Sequence, residues 1–199
     1  MQERPARRSN RARTEATRAA LIDAARALFV EKGYAETGTP EIAASAGVTR
    51  GALYHHFADK ADLFRAVVLQ EARAVAAQIA EETADPASAL DAVMTGAEAY
   101  FDAMAKPGRT RLLLLDGPAV LGPAATAQID EETGGGELRK GLALAMSEGV
   151  LPGAPLDALT DILSAAFDRA ALAIAEGKTP EDYKAAMRLV VKALLEKAR

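Results

Sequence analysis

The sequence predicts an all-α chain with an N-terminal three-helix helix-turn-helix unit and a helical C-terminal body, and three observations carry this. Apolar residues recur at helical spacing along nearly the whole chain, with no alternating β pattern and no internal repeat. Ala and Leu dominate an apolar half in which aromatic residues make up only 5%, a composition suited to helices. Gly, Pro and capping residues then cut the pattern into lengths typical of globular helices.

Residues 1–13 (MQERPARRSNRAR) are Arg-rich and without apolar periodicity, so they read as a disordered basic arm. Such an arm is either a solubilising tail or a binder of phosphate or the minor groove. The helical period begins at Thr14, with Leu21, Ile22, Ala25, Leu28 and Phe29 on one face, and Gly33 ends the helix. Thr39-Pro40-Glu41 supplies an N-cap, a proline at the first helical position and a first-turn acid for a short second helix, which Gly47 stops. Thr49 caps a third helix. Asp59 and Asp62 open a fourth, which buries Leu63, Phe64, Val67 and Val68 and continues through Val75 and Ile79.

Beyond this, Asp85-Pro86 starts a helix carrying Val93, Tyr100, Phe101 and Met104, stopped by Lys106-Pro107-Gly108. The apolar run Arg111 to Leu115 is interrupted by Asp116-Gly117-Pro118 and by Gly122-Pro123, and Glu131 to Gly136 reads as a mobile loop. Pro152-Gly153 and Pro155 introduce a long helix closed by Gly177, and Thr179-Pro180 caps the last. The expected division is an arm at 1–13, a helix-turn-helix domain at 14–74 with its motif at about 38–57, and a C-terminal domain at 75–199.

Charge is distributed unevenly. Residues 1–65 carry 11 Lys/Arg against 8 Asp/Glu, and the rest 13 against 20, so a basic front precedes an acidic back. That places any polyanion partner at the front. The absence of Cys excludes disulfides, thiolate zinc sites and cysteine nucleophiles, and suits a cytoplasmic protein. No apolar run reaches the ~18–20 residues of a membrane span.

The second and third helices, joined by Ala46-Gly47-Val48, form a helix-turn-helix pattern whose second helix meets base edges in the major groove of double-stranded DNA. Ile42, Ala43, Val48 and Leu53 are spaced to bury the contact between them, leaving Arg50, Gly51, Tyr54 and His55 on the outer face. Arg50 can fork onto guanine or pair with phosphate, Gly51 permits close backbone approach, and Tyr54 and His55 can donate to phosphates. Thr49 and Thr39 add hydroxyls, and Lys60 adds charge at a helix start. Adjacent His55 and His56 point about 100° apart and cannot share a metal, so no metal and no cofactor is expected.

The stretch from Leu21 to Val67, with Glu31-Lys32-Gly33-Tyr34, Ala46-Gly47-Val48, Arg50-Gly51-Ala52-Leu53-Tyr54-His55-His56-Phe57 and Asp59-Lys60, resembles the tetracycline-repressor (TetR) family. Arg111 to Gly122 is similar to a segment in the C-terminal domain of one subgroup. The resemblance implies a homodimer with recognition helices one DNA turn apart, about 34–36 Å, over a near-palindromic operator. It also implies a C-terminal ligand-binding and dimerisation domain whose effector releases DNA. Family members usually carry Ser or Thr at the position of Gly38 and a polar or basic residue at that of Pro40. Here Thr39 is left as the expected phosphate contact of the second helix, and readout leans on Arg50.

Tyr100, Phe101, Met104 and Phe167 are either core or the lining of an effector pocket. Asp116 is either a pocket group or a helix cap. The last two long helices, with Ser164, Ala165, Ala170, Ala171 and Ala173, either complete the core or pack across a twofold axis, and the resemblance implies the dimer interface. The function expected is a transcriptional repressor released by a small-molecule effector. The alternatives are a DNA-binding regulator controlled by a partner protein or by no effector, and an enzyme on a helical scaffold. The enzyme lacks any catalytic constellation, since Gly134-Gly135-Gly136 is not followed by Lys-Ser/Thr.

Overall fold

The computed structural model describes residues 6–151 and 153–195, and among them every regular element is helical. The chain divides into two compact units between Leu69 and Gln70. This falls five residues before the expected boundary, inside the fourth helix.

The first unit holds α1 (Ala6–Lys32), α2 (Thr39–Ser45), α3 (Arg50–His56) and the start of α4 (Lys60–Glu82). Helix α1 begins at Ala6 instead of Thr14, so the part of the expected arm from residue 6 onward is helical, while residues 1–5 lie outside the described residues. Ala and Arg favour helix, the Arg11 guanidinium pairs with Glu15 one turn on, and the Thr14 hydroxyl donates to the Asn10 carbonyl. Leu21, Ile22, Ala25, Leu28 and Phe29 are buried, and Phe29 meets Phe64 edge-to-face at 5.2 Å. Thr37 is buried with its hydroxyl donating to the Gly33 carbonyl at 2.8 Å, which fixes the path from α1 to α2. Between α2 and α3 the backbone turns through Gly47 at φ 68°, where any side chain would be strained. The Val48 N–H there returns to the Ala43 carbonyl at 2.9 Å.

The second unit holds the rest of α4, then α5 (Ala89–Met104), α6 (Arg109–Arg111), α7 (Gly117–Leu121), α8 (Pro123–Glu131), α9 (Gly134–Ser147), α10 (Leu156–Ala175) and α11 (Pro180–Leu195). Helix α5 packs between α9 and α11, and α10 packs on α9 and α11. Their shared core includes Val93, Phe101, Leu142, Leu163, Phe167 and Val191. A second cluster joins Val75 and Ile79 of α4 to Ala99, Ala103 and Met104. The buried Glu71 carboxylate accepts from Arg109 Nε at 2.8 Å and from Lys106 Nζ at 3.1 Å, tying α4 to the turn after α5. Breaking such a pair strands a buried charge.

Three local expectations are revised. Ser88, not Asp85-Pro86, caps α5: its hydroxyl accepts from the Asp91 N–H, while the Asp91 carboxylate accepts from the Ala87 N–H. The Asp116-Gly117-Pro118 interruption is crossed by a π-helical turn over Leu112–Asp116, in which the Gly117 N–H reaches back to the Leu112 carbonyl. Pro118, lacking an N–H, therefore sits in the first turn of α7 without breaking the chain's course.

The third revision concerns Glu131 to Gly136, which is no mobile loop. Only Glu132 and Thr133 separate α8 from α9, and the three glycines form the first turn of α9. A Cβ at Gly135 would lie 2.6 Å from Asp130 Oδ2, and one at Gly136 would lie 2.6 Å from the Glu131 carbonyl oxygen. These glycines serve close approach, not freedom.

Candidate functional site

Two places in the molecule are candidate sites, one in each unit. In the first, Leu53 and Phe57 are buried and pin one side of α3, while Arg50, Gly51, Tyr54 and His55 are exposed on the other. Arg50 and Tyr54 stand one turn apart, with the guanidinium 5.5 Å from the phenol ring centroid. Thr49 caps the helix, its hydroxyl accepting from the Ala52 N–H at 3.1 Å. A Cβ at Gly51 would meet nothing closer than Thr49 Oγ1 at 3.9 Å, so the fold itself has no need of glycine there.

Two of the residues expected to contact phosphate hold partners inside the protein, and Thr39 is the first residue of α2, with Gly38 at the N-cap position expected for it. Thr39 is buried, and its hydroxyl shares a hydrogen bond with the Tyr54 hydroxyl at 3.0 Å. It orients the phenol and is not presented to solvent. The Thr39 hydrogen bond, then Arg50, hold the Tyr54 phenol below its ordinary pKa. The Lys60 ammonium donates to the carbonyls of Tyr34 at 2.9 Å, Thr37 at 3.1 Å and Ala35 at 3.4 Å, and lies 4.2 Å from the Tyr34 ring centroid. All three of its donors are occupied, so it clamps the α1–α2 turn. The proximity in sequence of Lys60 to α3 is what makes it read as a surface cation. His56 is half-buried and its ring meets that of His55 at 5.6 Å. Among the described residues no group of three or more His, Asp or Glu side chains is placed to hold a metal.

In the second unit a cavity of about 310 Å³ opens between α4, α5, α8, α9 and α10. Tyr100 and Phe167 line it, their ring centroids 5.8 Å apart. Phe101 and Met104 do not. Both are buried in the two core clusters, because residues adjacent on a helix point in different directions and only Tyr100 of its neighbours faces the space. Asp116 is not on the lining either; it pairs with Arg111 Nε at 3.2 Å.

The polar side of the cavity is not legible in the sequence. Tyr100 donates its hydroxyl to Asp168 Oδ1 at 2.7 Å. Burial pushes this phenol well above its usual range, with the Asp168 charge and hydrogen bond and the Asp130 charge adding to it. Burial also pushes the Asp168 carboxyl up to about 6, the Tyr100 bond opposing and the Asp130 charge assisting. Asp130 Oδ2 accepts from Ser164 at 2.8 Å and Oδ1 from the Gly135 N–H at 3.1 Å. Four helices must assemble before these groups meet, so no local pattern announces them. The nearest signal is the glycine triplet beside Asp130.

Among the described residues no helix is long and apolar enough to cross a membrane. Residues 21–67 match the family described as bacterial regulatory proteins, tetR family, and residues 90–198 match the tetracyclin repressor-like C-terminal domain. The transcriptional activator FasR of Mycolicibacterium smegmatis is 30% identical over 135 residues, 66% of this chain and 62% of its own. The transcriptional repressor BepR of Brucella suis is 44% identical over 61 residues, 31% of this chain and 29% of its own. These matches span less than two thirds of either curated relative. The crystal structure of a TetR-family transcriptional regulator from Pectobacterium atrosepticum is 32% identical with a TM-score of 0.75, covering 95% of this chain and 99% of that one.

Proposed function

Because the chain belongs to the tetR family of bacterial regulatory proteins, we propose that it is a sequence-specific DNA-binding transcriptional repressor, released from a near-palindromic operator when a small molecule fills the cavity of its C-terminal unit. The exposed row Arg50, Gly51, Tyr54 and His55 on α3, opposite the buried Leu53 and Phe57, is the observation that carries this reading. Arg50 can fork onto guanine, and Tyr54 and His55 can donate to backbone phosphates. Gly51 supports the reading independently. A glycine inside a helix costs about 0.5–1 kcal/mol against alanine, and no neighbour within the protein requires it, so its bareness serves something outside.

A palindromic operator needs a twofold protein. Exposed Ile162 on α10, and Leu189 and Val190 on α11, support a homodimer through the last two long helices, since each would otherwise face water. The cavity, walled largely by apolar side chains, favours an effector-controlled regulator over one answering only to a partner protein. A hundredfold loss of operator affinity requires the effector to bind the released form about 2.7 kcal/mol more tightly than the bound one. Action on an operator places the work in the cytoplasm. Repression is favoured over activation by this release logic, whereas FasR carries the name of an activator.

Selection of bound sequences from random DNA, followed by gel shifts with the wild type, Arg50→Ala and Tyr54→Ala, tests the proposal. A palindromic consensus is expected, with operator binding abolished in both variants and helicity by circular dichroism retained. Unchanged operator affinity in both variants would sink the recognition face. A reporter placed behind the selected operator then reads the sign of regulation.

A further inference from the structure

On the reading that the cavity is the effector site, we propose that its occupant is a small, largely apolar amine whose ammonium group sits against Asp130. The cavity walls hold no uncommitted hydroxyl proton. Three hydroxyls line the space, and each donates within the protein: Thr83 to the Ile79 carbonyl at 2.7 Å, Tyr100 to Asp168 at 2.7 Å and Ser164 to Asp130 at 2.8 Å. What these groups turn to an occupant is therefore lone pairs. Asp130 adds a carboxylate whose hydrogen-bond donors, the Ser164 hydroxyl and the Gly135 N–H, are both neutral. Its negative field is felt by Tyr100 and Asp168 behind it.

Lys140 is the one cation on the lining among the described residues, but its side chain is 72% exposed and pairs with Glu137 at 2.7 Å. An anionic ligand would thus meet side-chain acceptors and a like charge, with no inward side-chain donor among the described residues to compensate its desolvation. A protonated amine meets the complementary set, and a charge-assisted hydrogen bond to Asp130 is among the stronger ones available. The rings of Tyr100 and Phe167 also favour a cation at their faces. The remaining wall, with Ile79, Val93, Leu138 and Leu144, takes an apolar body. At about 310 Å³ the cavity lies at the small end of organic-ligand sites, so the body is of one or two rings.

Calorimetry on the full chain with three matched probes tests this: tryptamine, the neutral tryptophol and the anionic indole-3-acetate. Tryptamine is expected to bind about tenfold or more tighter than tryptophol, with indole-3-acetate the weakest. Asp130→Asn should erase the preference for the amine over the alcohol, with helicity by circular dichroism retained to report an intact fold. Indole-3-acetate binding as tightly as tryptamine overturns the proposal. So does an amine preference that survives Asp130→Asn, or no tryptamine binding at millimolar concentration. The comparison on the wild type stands alone if the variant misfolds. A gel shift with saturating tryptamine separates the two readings. Asp130-dependent binding that leaves operator affinity unchanged defeats the effector reading and leaves the ligand chemistry standing.

Discussion

Tyr54 owes its pose to two neighbours, the Thr39 hydroxyl beneath it and the Arg50 guanidinium beside it, so the exposed row of α3, the proposed DNA face, is preorganised by its own unit. Gly51 lies in the same row and lends itself to a two-signed prediction. Gly51→Ala should stabilise the fold by up to about 1 kcal/mol in urea unfolding while weakening operator binding about tenfold or more in gel shifts. Unchanged operator affinity would mean that nothing approaches the helix at that point. Asp168 makes the second residue-scale prediction. Its folded pKa of about 6 lies above the usual 3.8, so the folded state holds this proton more tightly than the unfolded chain does. Its contribution is therefore most favourable below about pH 4 and is lost as pH rises through about 6, by up to about 3 kcal/mol. Asp168→Asn should remove much of that loss: urea unfolding at pH 4.5 and 7.5 should differ less in the variant than in the wild type.

Among the elements, the joint between α8 and α9 is held by absence of side chains. Gly136→Ala would press a methyl against the Glu131 carbonyl oxygen, a backbone atom that cannot swing away. Strain of about 1–3 kcal/mol then exceeds the helix-propensity gain of about 1 kcal/mol, and thermal unfolding should show a net loss. The same joint shows where sequence reading stops. The α2–turn–α3 motif is legible because Gly47, the Thr49 cap and the buried Leu53 are all local signals. Gly134 to Gly136 read as a loop because glycine's local preference is against helix, and the reason for the glycines is tertiary, the close passage of Asp130 and Glu131. Tyr100 and Phe101 are inseparable by spacing, since both are aromatic and only packing decides which one borders the cavity. Thr39 and Lys60 read as free surface groups, because their partners in α3 and the α1–α2 turn become visible only in the folded unit.

At the scale of the whole molecule, the proposed activity depends on two copies acting together. Leu189 is 70% exposed and Ile162 66% exposed, so a charge at either position should leave the subunit folded. Leu189→Glu is expected to give monomers in sedimentation velocity, with operator affinity abolished because one recognition helix alone reads half a site. A dimer that persists would remove α11 from the interface. The charge division serves the same design. The basic front suits a phosphate surface, and the acidic remainder limits indiscriminate attachment to nucleic acid.

The engagement of Lys60 changes how an alanine scan of the first unit should be interpreted. Its ammonium already satisfies three carbonyls of the α1–α2 turn, so Lys60→Ala should loosen that turn and weaken operator binding while every protein–phosphate pairing stays in place. Salt titration distinguishes the two causes. Removing one lysine–phosphate pairing flattens the slope of log affinity against log salt by about one unit. Lys60→Ala should lower the line and leave its slope, and a lysine that scores as a hot spot would then be a hinge pin of the protein, not a hand on the DNA.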